Sequence, residues 1–214
     1  MLAFGTVIES LLDLSPVIPV VVVHDTDEAV GVARALVDGG VPVIELTLRT
    51  PVGLEAIRRI AAEVPEIVVG AGTVVTPDQA AQAAAAGAQF LVSPGSTDRL
   101  LDAMAETGLP HLPGVSTVSE TLALIERGYR ELKFFPAEAA GGVPFLKALH
   151  APVPAARFCP TGGITQASAA TYLALPNVGC VGGSWLTPAD ALAERDWTRV
   201  STLAAATTGL AVAG

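Results

Sequence analysis

Apolar, largely β-branched runs recur along this chain at a nearly constant interval. They cover Val17–Val23, Val41–Leu48, Ile67–Thr73, Gln89–Ser93, Pro110–Pro113, Glu131–Phe135, Ala156–Thr161 and Val178–Gly183. Their starts lie roughly 20 to 26 residues apart, a spacing that leaves room for one helix between neighbours. Each run is short, continuous and bounded by Gly or Pro. That pattern predicts strands buried on both faces, as in a parallel sheet.

The stretches between the runs have helical spacing and are rich in alanine. They cover Thr26–Asp38, Gly53–Glu63, Pro77–Ala86, Thr97–Glu106, Thr117–Arg127 and Thr165–Leu175, with Pro188–Leu192 and Asp196–Ala206 near the end. Several open on a capping residue, such as Thr76 before Pro77 or Thr117 with Glu120 three residues on. Several close on glycine: Gly39, Gly87, Gly108 and Gly128. Eight strand–helix units predict an α/β fold, a closed (β/α)8 TIM barrel, in a single domain over residues 1–214. Phe4–Leu14 reads as an N-terminal helix capping the barrel bottom. The alternative is an open doubly wound sheet. Its first strand should run into a Gly-rich nucleotide loop, but here His24-Asp25-Thr26-Asp27 follows.

Composition narrows the classes. Apolar residues make up 51% and charged residues 15% of the 214, so much of the chain must be buried and disorder is excluded. No apolar run reaches membrane-spanning length, and no signal peptide is expected. The formal charge of −9 argues against nucleic acid as a partner. Cys159 and Cys180 have no zinc-type spacing and read as reduced core thiols. His24, His111 and His150 lie on different units and make no metal set; His111, opening strand 5, reads as a packed or bottom-face residue.

There are only two lysines, Lys133 and Lys147, against ten arginines. Lys147 falls in a helical stretch, Pro144–His150, and reads as a surface residue. Lys133 sits in mid-strand. Alternation puts residues 131, 133 and 135 on one face and Leu132 and Phe134 on the helix-covered other, which sends Lys133 into the barrel. Burial of an unpaired ammonium favours the neutral amine, which can attack a ketone. The alternative is a lysine paired with Glu131 or another carboxylate for structure alone. On strand 2, Glu45 shares the inward phase with residues 43 and 47. It could act as general acid and base, or be a mere ion partner of Lys133. Arg49 at that strand's mouth could grip a carboxylate, or make a rim salt bridge.

Barrel enzymes react at the carboxyl ends of their strands. Strand 3 ends Gly70-Ala71-Gly72-Thr73; its glycines are expected to thin the wall for a ligand, and Thr73 could donate to a carboxylate or merely cap the strand. Pro94-Gly95 and Pro113-Gly114 shape the ends of strands 4 and 5. Strands 7 and 8 run into Thr161-Gly162-Gly163 and Gly182-Gly183-Ser184. Paired glycine-rich ends there predict a phosphate seat, with plain tight turns as the alternative.

Taken together, these segments resemble the KHG/KDPG aldolase family. The resemblance is carried by Pro16–Val23, Ile44–Thr50, Val69–Thr73, Val92–Gly95, Pro113–Thr117, Lys133–Glu138, Phe158–Ile164 and Gly182–Leu186. It implies that Lys133 forms a Schiff base and that Glu45 moves protons. It implies that Arg49 and Thr73 hold the pyruvyl carboxylate, that Phe135 and Pro94 line the substrate, and that Thr161 helps select it. Gly162, Gly163, Gly183 and Ser184 would form the phosphate seat. The implied reaction is cleavage of 2-dehydro-3-deoxy-6-phosphogluconate to pyruvate and glyceraldehyde 3-phosphate in the Entner–Doudoroff route. A cytoplasmic homotrimer without metal or organic cofactor is implied, with a phosphorylated 2-keto acid as its small-molecule partner. Strand 1 carries no charge, unlike relatives acting on the galactonate epimer, which favours the gluconate branch. 4-Hydroxy-2-oxoglutarate and the 6-phosphogalactonate epimer remain alternative substrates. Outside aldolases, the alternatives are a phosphate-binding barrel isomerase or synthase, and a non-catalytic barrel.

Overall fold

The computed structural model describes residues 8–213. Strands and helices alternate through them. The strands are β1 (Val17–Val21), β2 (Val43–Thr47), β3 (Val68–Gly72), β4 (Phe90–Val92), β5 (His111–Leu112), β6 (Gly114–Val115), β7 (Glu131–Phe134), β8 (Arg157–Pro160) and β9 (Val181–Gly183). The helices are α1 (Thr26–Asp38), α2 (Gly53–Glu63), α3 (Pro77–Ala85), α4 (Asp98–Glu106), α5 (Val118–Glu126), α6 (Gly142–His150), α7 (Gln166–Leu173), α8 (Ala189–Ala193) and α9 (Trp197–Ala205). Among the described residues, no helix is long and apolar enough to cross a membrane.

All pairings are parallel. One sheet runs β5-β4-β3-β2-β1-β9, the other β6-β7-β8. Bridges from Phe158 to Val178 and from Thr161 to Gly182 join the second sheet to the last strand of the first. The predicted fifth strand is split into β5 and β6 by Pro113, which has no N–H to give a ladder. Its carbonyl still accepts from Lys133 N at 3.0 Å. The two parallel sheets, joined by these bridges, thus curl around one interior with helices on the outer face. β1, β2 and β3 are buried along their whole length, as continuous apolar runs covered on both sides require.

Helix ends follow local chemistry. Asp25 caps α1 in a reciprocal box with Glu28, and Thr76, Thr117 and Thr165 do the same for α3, α5 and α7. Helices also pack by leaving out side chains. A Cβ on Gly31 would lie 2.4 Å from the Trp197 ring, and one on Gly39 2.5 Å from Ala204 Cβ. Both glycines let α1 close on α9.

The helix expected over Phe4–Leu14 is not found in its described part. Residues 8–14 run as turns and bends, and residues 4–7 lie outside the described residues. A long-range contact overrides the local pattern: the Glu131 carboxylate, at the start of β7, accepts from Ser10 Oγ and from Leu11 N at 2.9 Å. Leu11 and Leu12 are buried at this end. His111 also lies at this end, opening β5, as expected. Its Nδ1 faces the Leu109 carbonyl and so carries the proton, leaving Nε2 to accept from Tyr129 Oη at 2.7 Å.

Burial holds the His111 imidazole below its ordinary range, outweighing the hydrogen bond to Leu109. The unfolded chain therefore takes up this proton first as pH falls below about 6.5. Stability from this residue is complete above that value and declines beneath it. Urea midpoints measured from about pH 7.5 down to about pH 5 should fall less steeply in His111→Gln than in the unaltered chain. Parallel curves would show that His111 contributes nothing to the pH dependence.

Candidate active site

β7 is held flat against its helix by its outward residues. Phe134 stacks on Phe145 of α6 with ring centroids 5.0 Å apart, and meets Phe158 edge-on at 6.4 Å. Leu132 is buried beside it. Alternation then turns Lys133 to the other face, as the sequence predicts. Gly114, Lys133 and Cys159 are cross-strand partners on one side, and Val20, Glu45 and Gly70 on the other. Parallel partners share a face, so each trio points the same way.

The two faces meet. Lys133 Nζ donates to Glu45 Oε1 at 2.9 Å and to Oε2 at 3.3 Å, although β2 and β7 belong to different sheets. Side-chain exposure is 4% for the lysine and 3% for the glutamate. The lysine is therefore not the unpaired amine expected from its strand position. Its partner is Glu45 and not Glu131, which is taken up by Ser10, Leu11 and Arg157. Opposite charges this close offset much of each other's loss of water.

The glycines of β3 do something other than thin the wall. A Cβ on Gly72 would sit 2.3 Å from Glu45 Oε1, and one on Gly70 2.3 Å from the Phe90 ring. Their space is filled from within, by the carboxylate and by an aromatic side chain. Gly72 is thus a requirement of Glu45. This role was not visible in the sequence, because it depends on which strand lies next to which.

Around the pair, the other predicted residues fall in two groups. At the mouth above β2 and β3, Arg49 Nε donates to Thr73 Oγ1 at 3.1 Å. Thr73 has φ 58°, a left-handed backbone that costs a β-branched residue energy. None of the ion pairs among the described residues involves Arg49, so the rim salt bridge is not formed. Above β7, the half-buried Phe135 ring has its centroid 5.7 Å from Lys133 Nζ. Pro94 folds over Gly114, where a Cβ would lie 2.3 Å from the Pro94 carbonyl carbon.

The second group joins the ends of β8 and β9. Thr161 is 6% exposed and bridges to Gly182. A Cβ on Gly182 would come 2.2 Å from Thr161 Oγ1, and one on Gly183 1.9 Å from the Trp185 ring. Gly162 and Gly163 have φ of 104° and 82° and lead into Thr165, the cap of α7. Glycine is thus needed for packing at 182 and 183, and for backbone conformation at 162 and 163. Ser184 is exposed beside them.

Cys159 is buried as expected of a core thiol, but its place beside Lys133 was not read from the sequence. It pairs in register with Lys133 and is 3% exposed, with Thr161 Oγ1 3.8 Å from its Sγ. Burial, together with the neighbouring Cys159, pushes the Cys180 thiol well up, so it stays protonated. Alternation within residues 157–161 would have placed Cys159 and Thr161 on one face, but only the register with β7 says which face. Lys147 is exposed on α6, as expected. Among the described residues, no three His, Cys, Asp or Glu side chains gather as a metal-ligand set.

Residues 8–203 match the family model described as "Aldolase: KDPG and KHG aldolase". The chain is 55% identical over 196 residues to the 2-dehydro-3-deoxy-phosphogluconate aldolase of Dickeya dadantii, covering 92% of each protein. It is equally similar, at 55% over the same length and coverage, to the KHG/KDPG aldolase of Escherichia coli K12. Among solved structures it matches the KDPG aldolase of Legionella pneumophila with pyruvate captured as a covalent carbinolamine. That match has a TM-score of 0.90 at 45% identity and covers 92% of this chain and 96% of that one. A family model spanning nearly all the described residues, with relatives at this identity, settles the assignment: the chain belongs to the KDPG and KHG aldolase family.

Proposed function

We propose that this protein is a class I aldolase that cleaves 2-dehydro-3-deoxy-6-phosphogluconate to pyruvate and glyceraldehyde 3-phosphate, the cleavage step of the Entner–Doudoroff route. The observation that carries the reading is the buried contact of Lys133 Nζ with Glu45 at 2.9 Å, in a chain of this aldolase family.

The geometry supports each step. An amine must lose a proton before it attacks, and Glu45 already holds one of the hydrogens of Lys133. Proton transfer to Glu45 frees the nitrogen lone pair for the substrate C2 ketone. The carboxyl group returns the proton as the carbinolamine loses water. The iminium that results carries the same positive charge the ammonium had, beside the same carboxylate, so the site's net charge is unchanged. Glu45, directly or through a water, then takes the C4-hydroxyl proton. The C3–C4 bond breaks and its electrons pass into the iminium. Glyceraldehyde 3-phosphate departs, and the enamine is protonated and hydrolysed from Lys133.

Arg49 and Thr73 hold the pyruvyl carboxylate in this reading, supported by their mutual hydrogen bond and by an arginine with no acidic partner among the described residues. Phe135 and Pro94 line the pocket and Thr161 contributes to selection. The phosphate rests on Gly162 and Gly163, which lead into α7, and on Gly183 and Ser184 at the end of β9; N–H groups and the α7 dipole favour an anion there. Anchoring the far end positions the reacting bond. The pyruvyl half is common to 4-hydroxy-2-oxoglutarate, so cleavage of that acid as a side activity is part of the reading. The bridges between β8 and β9 and the continuity of β5 into β6 support a closed (β/α)8 barrel, read as a single domain over residues 1–214. A cytoplasmic homotrimer without cofactor completes it, by likeness to the family.

Borohydride added with pyruvate should fix a single three-carbon adduct on Lys133, located by peptide mass mapping. No adduct, or one on Lys147, would sink the Schiff-base reading and restore the isomerase, synthase and non-catalytic alternatives. Glu45→Gln should bind substrate nearly normally and turn over at least about 100-fold more slowly; unchanged turnover would leave Glu45 a structural ion partner.

A further inference from the structure

The segment after β7 does not end with the substrate wall. It continues alongside the loop that follows β8: Ala137 N donates to the Thr161 carbonyl at 2.8 Å and Glu138 N to the Gly162 carbonyl at 3.1 Å. Glu138 then makes two further contacts. Its methylenes lie against Gly163, where a Cβ would come 2.7 Å from Glu138 Cγ and 2.8 Å from its Cβ. Its carboxylate accepts from Tyr172 Oη at 2.6 Å. Tyr172 is 1% exposed and sits on α7, the helix that the Gly162-Gly163 turn leads into.

This placement is odd on electrostatic grounds. Glu138 is an exposed acid with no cationic partner among the described residues, next to a loop read as an anion seat. A bare negative charge there would repel a phosphate. A carboxylate held by a tyrosine, with its own backbone tied to the loop, can serve another purpose. Burial and the Glu138 contact push the Tyr172 phenol up, so it remains a donor. Gly142, at φ 54°, leaves the room this hydroxyl needs, since a Cβ there would lie 2.9 Å from Tyr172 Oη.

We infer that Glu138, held by Tyr172, is a positioning residue for substrate phosphate: it braces the Gly162-Gly163 turn against α7 so that the turn's N–H groups face the anion. The inference rests on the reading of that turn as the phosphate seat. It gives the Glu138 end of the Lys133–Glu138 motif a role separate from the amine chemistry.

The test compares a phosphorylated 2-keto-3-deoxy acid with its unphosphorylated counterpart, in the unaltered protein and in Tyr172→Phe, Glu138→Ala and Glu138→Gln. Tyr172→Phe and Glu138→Ala should raise KM for the phosphorylated acid about tenfold, the loss of one charge-assisted hydrogen bond. Their kcat, and their KM for the unphosphorylated acid, should stay within about twofold. Glu138→Gln keeps an acceptor for Tyr172 and should restore most of the difference. A lower KM in both Glu138 variants would mean that repulsion dominates and would overturn the bracing role. Equal losses on both acids would reduce the pair to general stability and also overturn it. If the unaltered protein shows no preference for the phosphorylated acid, the phosphate seat itself is wrong. If it shows the preference and the variants keep it, only the bracing role fails.

Discussion

A lysine and a glutamate with almost no access to water must answer to each other, and most of the interior is arranged around that demand. Removing either partner of such a pair typically costs about 3–5 kcal/mol, because the other charge stays buried alone. At 2.9 and 3.3 Å, both Glu45 oxygens attend one Lys133 nitrogen. The contact crosses the interior between two sheets, so it also specifies how far apart β2 and β7 stand. Gly72 gives up its side chain to admit the carboxylate. Phe134 and Leu132 fill the opposite face of β7, which leaves Lys133 no other direction.

In the proposed mechanism the same pair is both a structural contact and a reactive one, and the two roles need not compete. An ion pair replaced by an iminium and a carboxylate keeps its charges, and the proton that must move has only one hydrogen bond to cross. The strained backbone at Thr73, Arg49 with no acidic partner among the described residues, and the left-handed glycines Gly162 and Gly163 all sit on the carboxyl side of the strands. The opposite end carries ordinary structural chemistry: Glu131 gathers the N-terminal turn, and His111 and Tyr129 satisfy one another.

Much of this was legible in the chain. The bounds of α1 follow from its capping box and periodicity, those of α2 from periodicity, and the strand runs from their β-branched composition. Lys133 faces inward because Leu132 and Phe134 face outward. The errors share a cause. The helix expected over Phe4–Leu14 yields, in residues 8–14, to a carboxylate about 120 residues away. The fifth strand breaks at Pro113, yet stays continuous through its carbonyl. The β3 glycines were expected to thin the wall for a ligand, and neighbours from other strands fill their space.

By itself the sequence determined the alternation of strands and helices, the inward phase of Glu45 and Lys133, and the glycine-rich turns at the strand ends. These are properties of residues within a few positions of each other, where backbone geometry sets the period. Only the tertiary structure decided that Glu45, 88 residues away, is the partner of Lys133, that Cys159 stands beside that lysine, and that Glu138 leans on Gly163 under the hold of Tyr172. Those facts depend on register and on which strand ends lie side by side, and no local pattern encodes either.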